Sequence, residues 1–156
     1  MPLTAMVDEQ VFCVHGGIPR AILEDSDDIL ATIAAIERPI KVEAQLVSDL
    51  LWSDPVHDQE ERAALGTSGF PKYFGPNQRG EDCCTFGKEA VDMFMEKTGV
   101  SYIIRAHEKN ALGFGADVGG RVLTVFSSSH YGGSNNQAGI ILILDGQLHV
   151  ILTKRE

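Results

Sequence analysis

Val11-Phe12-Cys13-Val14-His15-Gly16-Gly17 is a short apolar run that ends on a histidine and two glycines. Tyr102-Ile103-Ile104-Arg105-Ala106-His107-Glu108 is a second apolar run with a histidine just past it. Runs of this kind, rich in β-branched and aromatic residues, read as buried strands. A histidine just past such a strand lies in a loop, and two from different strands share one ion only if the fold brings the strand ends together. On spacing alone a loop histidine is more often structural or solvated than a ligand. The Gly16-Gly17 pair favours the ligand reading, because close backbone approach around an ion needs residues without side chains.

Around these two runs the pattern is that of a layered α/β protein. Leu3 to Val7 and Val11 to Val14, separated by Asp8-Glu9-Gln10, read as a hairpin whose second strand delivers His15. Ser26 is placed to cap a helix whose apolar face is Ile29, Leu30, Ile33, Ala34 and Ile36, with Pro39 beyond its end. Residues 53–80, punctuated by prolines and glycines and carrying the charged run His57 to Arg62, read as a long surface loop with one helical turn. Lys88 to Thr98 reads as an amphipathic helix closed by Gly99. Strands are expected over Arg121 to Phe126, Ala138 to Leu144 and Gln147 to Thr153, the last two joined by Asp145-Gly146. Gly139 to Leu144 shows no polar alternation, so that strand is expected to be covered on both faces.

Composition narrows the function. At 156 residues and 16.9 kDa the chain has the size of one domain. Its net charge of −9 argues against nucleic acid or an anionic membrane as the main partner, since both require a positive field. No stretch approaches the roughly 20 apolar residues of a membrane helix. Cys13, Cys83 and Cys84 make no disulfide framework and no zinc spacing, which fits a reducing compartment. The N-terminus lacks a basic segment ahead of an apolar one and is a poor signal peptide. The expectation is a soluble cytoplasmic or nuclear protein.

Among the remaining polar residues, Arg79 stands in a loop beside Gly80, where a planar guanidinium suits two phosphate oxygens, although a turn arginine is more often a plain surface charge. Ser127 to Gly133, with Tyr131 inside it, either presents hydroxyls and a ring to a substrate or is a polar connection. Adjacent Cys83 and Cys84 are better read as small hydrophobes than as a redox pair. His57, His130 and His149 have no partner at a suggestive spacing, and His149 is expected on an exposed strand position.

Six segments in order, Val-Phe-Cys-Val-His-Gly-Gly (11–17), Asp-Leu-Leu-Trp-Ser-Asp-Pro (49–55), Asn-Gln-Arg-Gly (77–80), Thr-Phe-Gly (85–87), Arg-Ala-His-Glu (105–108) and Val-Phe-Ser-Ser-Ser-His-Tyr (125–131), resemble the phosphoprotein phosphatase family of serine/threonine phosphatases, which includes protein phosphatases 1, 2A, 5 and calcineurin. The resemblance covers essentially the whole chain. It implies an α/β fold, the C-terminal part of a calcineurin-like metallophosphoesterase β-sandwich flanked by helices, with a two-metal centre of manganese, iron or zinc. By the same resemblance His15 and His107 match ligands of one metal and Arg79 matches a phosphate-binding arginine. Tyr131 matches a tyrosine beside the site, and Trp52 and Asp54 match residues that line or support the substrate grooves.

The departures from the family pattern set further expectations. Its Gly-Asp-x-His-Gly, Gly-Asp-x-x-Asp-Arg-Gly and Gly-Asn-His-Glu motifs are absent, and with them the bridging aspartate, the other metal ligands, a second phosphate-binding arginine and the general acid. Met1 to Ala5 resembles family sequence just ahead of His-Gly-Gly, so residues 1–156 are expected to form a partial catalytic domain whose N-terminal metal-binding half lies upstream. Thr153-Lys154-Arg155-Glu156 resembles the end of that domain. Gly132 stands where the family often has a cysteine, residues 55–77 are longer than usual, and Glu81 to Cys84 carries an extra residue. The resemblance thus implies hydrolysis of phosphoserine and phosphothreonine in proteins once the domain is complete, with regulatory subunits as possible partners and little activity from this chain alone. The alternatives are a truncated pseudophosphatase acting as a protein-binding module and, with less support, a small metal-storage or sensor protein.

Overall fold

The computed structural model describes residues 1–40 and 44–153. Strands β1 (Thr4–Val7) and β2 (Val11–Val14) form the expected hairpin, with Asp8 and Glu9 at positive φ in the turn. Helix α1 (Arg20–Leu23) and helix α2 (Ile29–Ala34) follow. The cap of α2 is Asp28, not Ser26: the Asp28 carboxylate accepts from the Ala31 N–H at 2.9 Å, while Ser26 Oγ is spent on Thr32 Oγ1. Aspartate directly ahead of the first turn meets its free N–H groups, which a serine two residues further back does not reach.

Helix α3 (Gln45–Trp52), unread in the sequence, leads into β3 (Asp54–Pro55), then helix α4 (Gln59–Ala63), β4 (Phe74–Asn77) and β5 (Gly80–Phe86). Residues 53–80 are therefore not a surface loop. They supply two strands of a three-stranded sheet ordered β3-β5-β4, and α4 is the expected helical turn, capped by Asp58. The β3–β5 pairing joins Asp54 to Thr85 and Pro55 to Phe86, a long-range match that local turn residues conceal.

Helix α5 (Lys88–Thr98) ends at Gly99 in the left-handed conformation, as the spacing predicts. It is followed by β6 (Tyr102–Arg105), β7 (Phe114–Asp117) and β8 (Val122–Val125). The main sheet has the order β1-β2-β6-β8-β7, with β2, β6 and β8 parallel in the middle. Phe12 and Ile103 point from its centre into a core with Leu23, Leu50, Phe86 and Phe94, and the Phe12 and Phe94 rings lie 5.0 Å apart. The parallel order sets the C-terminal ends of β2 and β6 side by side, and those ends carry His15 and His107.

Strands β9 (Gly139–Leu144) and β10 (Gln147–Leu152) form a separate two-stranded ribbon, tied to the rest through Gly139 N–H on Phe126 O. The expectation that β9 is covered on both faces fails: Ile140, Leu142 and Leu144 are each about half exposed. A ribbon of two strands has no layer over this face, whatever its sequence. His149 is exposed on β10, as expected. Lys154, Arg155 and Glu156, part of the segment compared with the family's end, lie outside the described residues.

Candidate metal and phosphate site

The site is assembled where β2, β6, β3 and the β4–β5 turn meet. His15 follows β2 and its carbonyl accepts from the Ala106 N–H beyond β6, so the two strand-end loops are stitched together. His107 is the middle of a three-residue turn closed by the Glu108 N–H on Ala106 O at 2.7 Å, with φ of 64°. That is an uncommon and strained backbone for a side-chain-bearing residue, of the kind that clusters at functional sites. The result is that His15 Nε2 and His107 Nδ1 lie 3.1 Å apart.

Both imidazoles are held neutral. Burial, then the charges of Arg105 and Arg79, push His15 below its ordinary pKa. Burial lowers His107 to about 4, with Arg79, Arg105 and His15 adding to the effect and Asp54 opposing it. A neutral ring offers a lone pair, the form a metal requires. Nitrogens 3.1 Å apart both reach one ion at bond lengths of about 2.0–2.1 Å. Nε2 of His107 is buried with no hydrogen-bond partner, and the Trp52 ring stands edge-on to this imidazole at 5.2 Å. The pair fits a metal, but as a partial ligand set: among the described residues no group of three histidine, cysteine or acidic side chains is placed to hold an ion.

Next to the histidines runs a chain of charge. Arg79 Nε donates to Asp54 Oδ2 at 2.6 Å, and Arg79 Nη2 reaches toward His107 O at 3.4 Å. Asn77 shapes the turn: its Oδ1 accepts from the Arg79 N–H and its Nδ2 donates to Asp54 Oδ2. Arg105, 1% exposed, donates to Gly16 O, Ser53 O, Asp54 Oδ1 and Glu108 Oε2. Burial alone would raise the Asp54 pKa, but hydrogen bonds from Arg79 and Asn77 and the charge of Arg105 outweigh it and hold the carboxyl below its usual range. The guanidinium of Arg79, one third exposed, keeps donors free for an anion beside the histidines.

The structure thus joins His15, His107, Trp52, Asp54 and Arg79 in one place. It does not join Tyr131 to them: that ring packs edge-on against Phe126 at 5.3 Å and is half exposed. The loop around Tyr131 is ordered by buried Asn136, which accepts from the Tyr131 N–H and Ser134 Oγ and donates to Ser128 O. Two organising residues escaped the sequence reading. Arg105 was legible only as a charge at the end of an apolar strand, and Asn136 carried no local signal. His57, with no partner at a suggestive sequence spacing, meets two distant ones in the fold: Nε2 is 2.9 Å from Glu108 Oε1 and Nδ1 is 3.4 Å from Asp117 Oδ1. The Gly16-Gly17 pair allows close approach to protein. A Cβ on Gly16 would lie 2.6 Å from the backbone of Leu51 and Trp52, and one on Gly17 would enter the Phe86 ring.

Residues 1–110, which include every residue of the joined site, match the family model described as calcineurin-like phosphoesterase. The chain is 35% identical over 153 residues to the serine/threonine-protein phosphatase BSL2 of Arabidopsis thaliana, covering 97% of this chain and 14% of that protein. It also superposes with a TM-score of 0.74 and 27% identity on a protein serine/threonine phosphatase from Saccharomyces cerevisiae with similarity to human phosphatase PP5, covering 97% of this chain and 46% of that one. The chain thus spans less than half the length of either relative. From its strand order, its paired histidines and these matches, the chain belongs to the calcineurin-like phosphoesterases, within the phosphoprotein phosphatase family of serine/threonine phosphatases.

Proposed function

We propose that this chain acts as the C-terminal half of a metal-dependent serine/threonine phosphatase domain, hydrolysing phosphoserine and phosphothreonine in proteins when the N-terminal half completes the site. The observation that carries the reading is the 3.1 Å approach of His15 Nε2 to His107 Nδ1, with Arg79 held beside them by Asp54. Divalent or trivalent ions of manganese, iron or zinc, when bound in a completed site, would supply an activated water and would neutralise charge on the phosphate. The residues of this chain have simpler roles. His15 and His107 hold one ion as neutral ligands, Arg79 binds and orients phosphate oxygens, and Asp54 aims Arg79. Trp52 packs against His107 and keeps water from one side of it, while Tyr131 borders the substrate from its own loop.

Phosphoproteins are the proposed substrates and regulatory subunits the possible partners. Three free cysteines support a reducing compartment, the cytoplasm or nucleus. The isolated chain is expected to be inactive, because two neutral imidazoles leave an ion without anionic ligands. The test is to fuse the preceding part of the Saccharomyces relative to Met1 and assay a phosphoserine peptide with Mn2+. Hydrolysis is expected from the fusion and not from the chain alone, with Arg79→Ala lowering kcat/KM roughly a hundredfold or more. A folded, metal-loaded fusion without activity, or activity indifferent to Arg79→Ala, would overturn the reading.

A further inference from the structure

Where β5 ends and α5 begins, four cations gather around one cavity of about 740 Å³: Arg62, Lys72, Lys88 and Arg121. The chain as a whole carries −9, with 13 basic residues against 22 acidic, so this concentration of positive charge runs against its composition. Lys88 and Arg121 are bridged by Asp92. Arg62 and Lys72 are exposed, and among the described residues neither has a carboxylate within 4.0 Å. Glu89 is the one acid on the cavity wall.

The floor is apolar, made by the half-buried Val56, Leu65 and Val118 over the fully buried Phe86, with the Tyr73 ring at the side under Lys72 Nζ at 5.1 Å. Gly87 at the floor leaves room for this packing: a Cβ there would lie 2.6 Å from Leu65 Cδ1. Gly87 also opens α5 with no side-chain cap, so the first turn of that helix adds uncapped N–H donors to the rim. The volume is that of an ordinary ligand pocket, with an apolar base and polar groups at its margin.

We propose that this cavity binds an acidic peptide segment, seating one apolar side chain on the Val56-Leu65-Val118 floor while flanking carboxylates meet Arg62 and Lys72. Charge complementarity selects carboxylates, and the apolar floor selects a side chain over a bare anion. A long polyanion is disfavoured, because outside this cavity the chain would repel it. The site is separate from the histidine centre, and its occupancy does not depend on phosphatase activity.

The test is fluorescence anisotropy on the full 156-residue chain with a fluorescein-labelled pentapeptide of four glutamates around a central phenylalanine. Saturable binding is expected, weakening as salt is raised. The double variant Arg62→Glu, Lys72→Glu, at exposed positions, is expected to weaken it at least tenfold with an unchanged circular dichroism spectrum. Arg62→Gln serves as the milder variant, expected to weaken binding less. Replacing the phenylalanine with glutamine is expected to weaken binding as well. No saturable binding, equal binding of a lysine peptide, equal binding of the glutamine peptide, or binding indifferent to the Arg62 and Lys72 substitutions would each overturn the proposal.

Discussion

Arg105 Nη2 donates to Asp54 Oδ1 at 2.6 Å, and through that bond a buried arginine on β6 fixes the carboxylate that aims Arg79. The same guanidinium closes on the carbonyls of Gly16 and Ser53 and on Glu108, so one side chain ties together β2, α3, β3 and the His107 turn. Removing it would leave Asp54 Oδ1 and the carbonyls of Gly16 and Ser53 without this donor in a dry interior. Arg105→Met is expected to lower unfolding stability by about 3–5 kcal/mol, measured by urea denaturation. Arg79→Ala, at a part-exposed position, is expected to cost about 1 kcal/mol or less. Comparable losses from the two would contradict the assignment of Arg105 as the organiser.

His57 gives the fold a pH dependence. The Asp117 and Glu108 carboxylates beside it raise its pKa to about 10, from an ordinary value near 6.5, against the opposing effect of burial. A group whose pKa is higher in the folded state stabilises fully below its unfolded pKa and loses that contribution as pH rises toward the folded value. The stability difference between the wild-type chain and His57→Gln is therefore expected to be constant below about pH 6 and to shrink steadily between roughly pH 6.5 and 10. Because the side chain is 42% exposed, the difference is expected to stay near about 1 kcal/mol or less. A difference that grows with pH would show that the imidazolium is not clamped by these acids.

Gly16 is required by packing. Gly16→Ala would drive a methyl group into the backbone of Leu51 and Trp52, and a loss of about 1–3 kcal/mol is expected. Trp52 is the only tryptophan, so its fluorescence reads the displacement directly. An unchanged emission spectrum with unchanged stability would place the glycine requirement elsewhere.

The β9–β10 ribbon leaves Ile140, Leu142 and Leu144 on one face, beside Ile151 of the partner strand. Contiguous exposed apolar surface of this kind favours association. The double variant Ile140→Lys, Leu142→Lys is expected to raise the soluble, monomeric fraction in light scattering while changing stability by less than about 1 kcal/mol. A loss of several kcal/mol would mean that this face is buried in the folded chain.

The sequence made the local elements and the strand-end chemistry readable, and obscured what depends on distant pairing. Lys88 to Thr98 has a complete helix signature with Gly99 as its stop, and β2 and β6 are apolar runs with a histidine just past each, so those elements could be read directly, while the meeting of His15 with His107 was implied only by the family resemblance. Residues 53–80 could not, because β3 is two residues long and exists only through its match to Thr85 and Phe86. The apolar run of β9 was misleading because a continuous hydrophobic sequence reports a need for cover and not whether cover is present. Arg105 looked like a strand-terminal charge, and only the fold reveals four acceptors converging on it. Tyr131 was placed by family likeness, while the structure gives its ring to Phe126.

The central claim is that His15 and His107 share one ion, and pulsed electron paramagnetic resonance of Mn2+ bound to this chain tests it most directly. Two imidazole nitrogen couplings are expected in the wild type. One should remain in His15→Ala or in His107→Asn, asparagine being chosen because it tolerates the positive φ at that turn. A Mn2+ signal without nitrogen coupling, or one unchanged by either substitution, would contradict the claim.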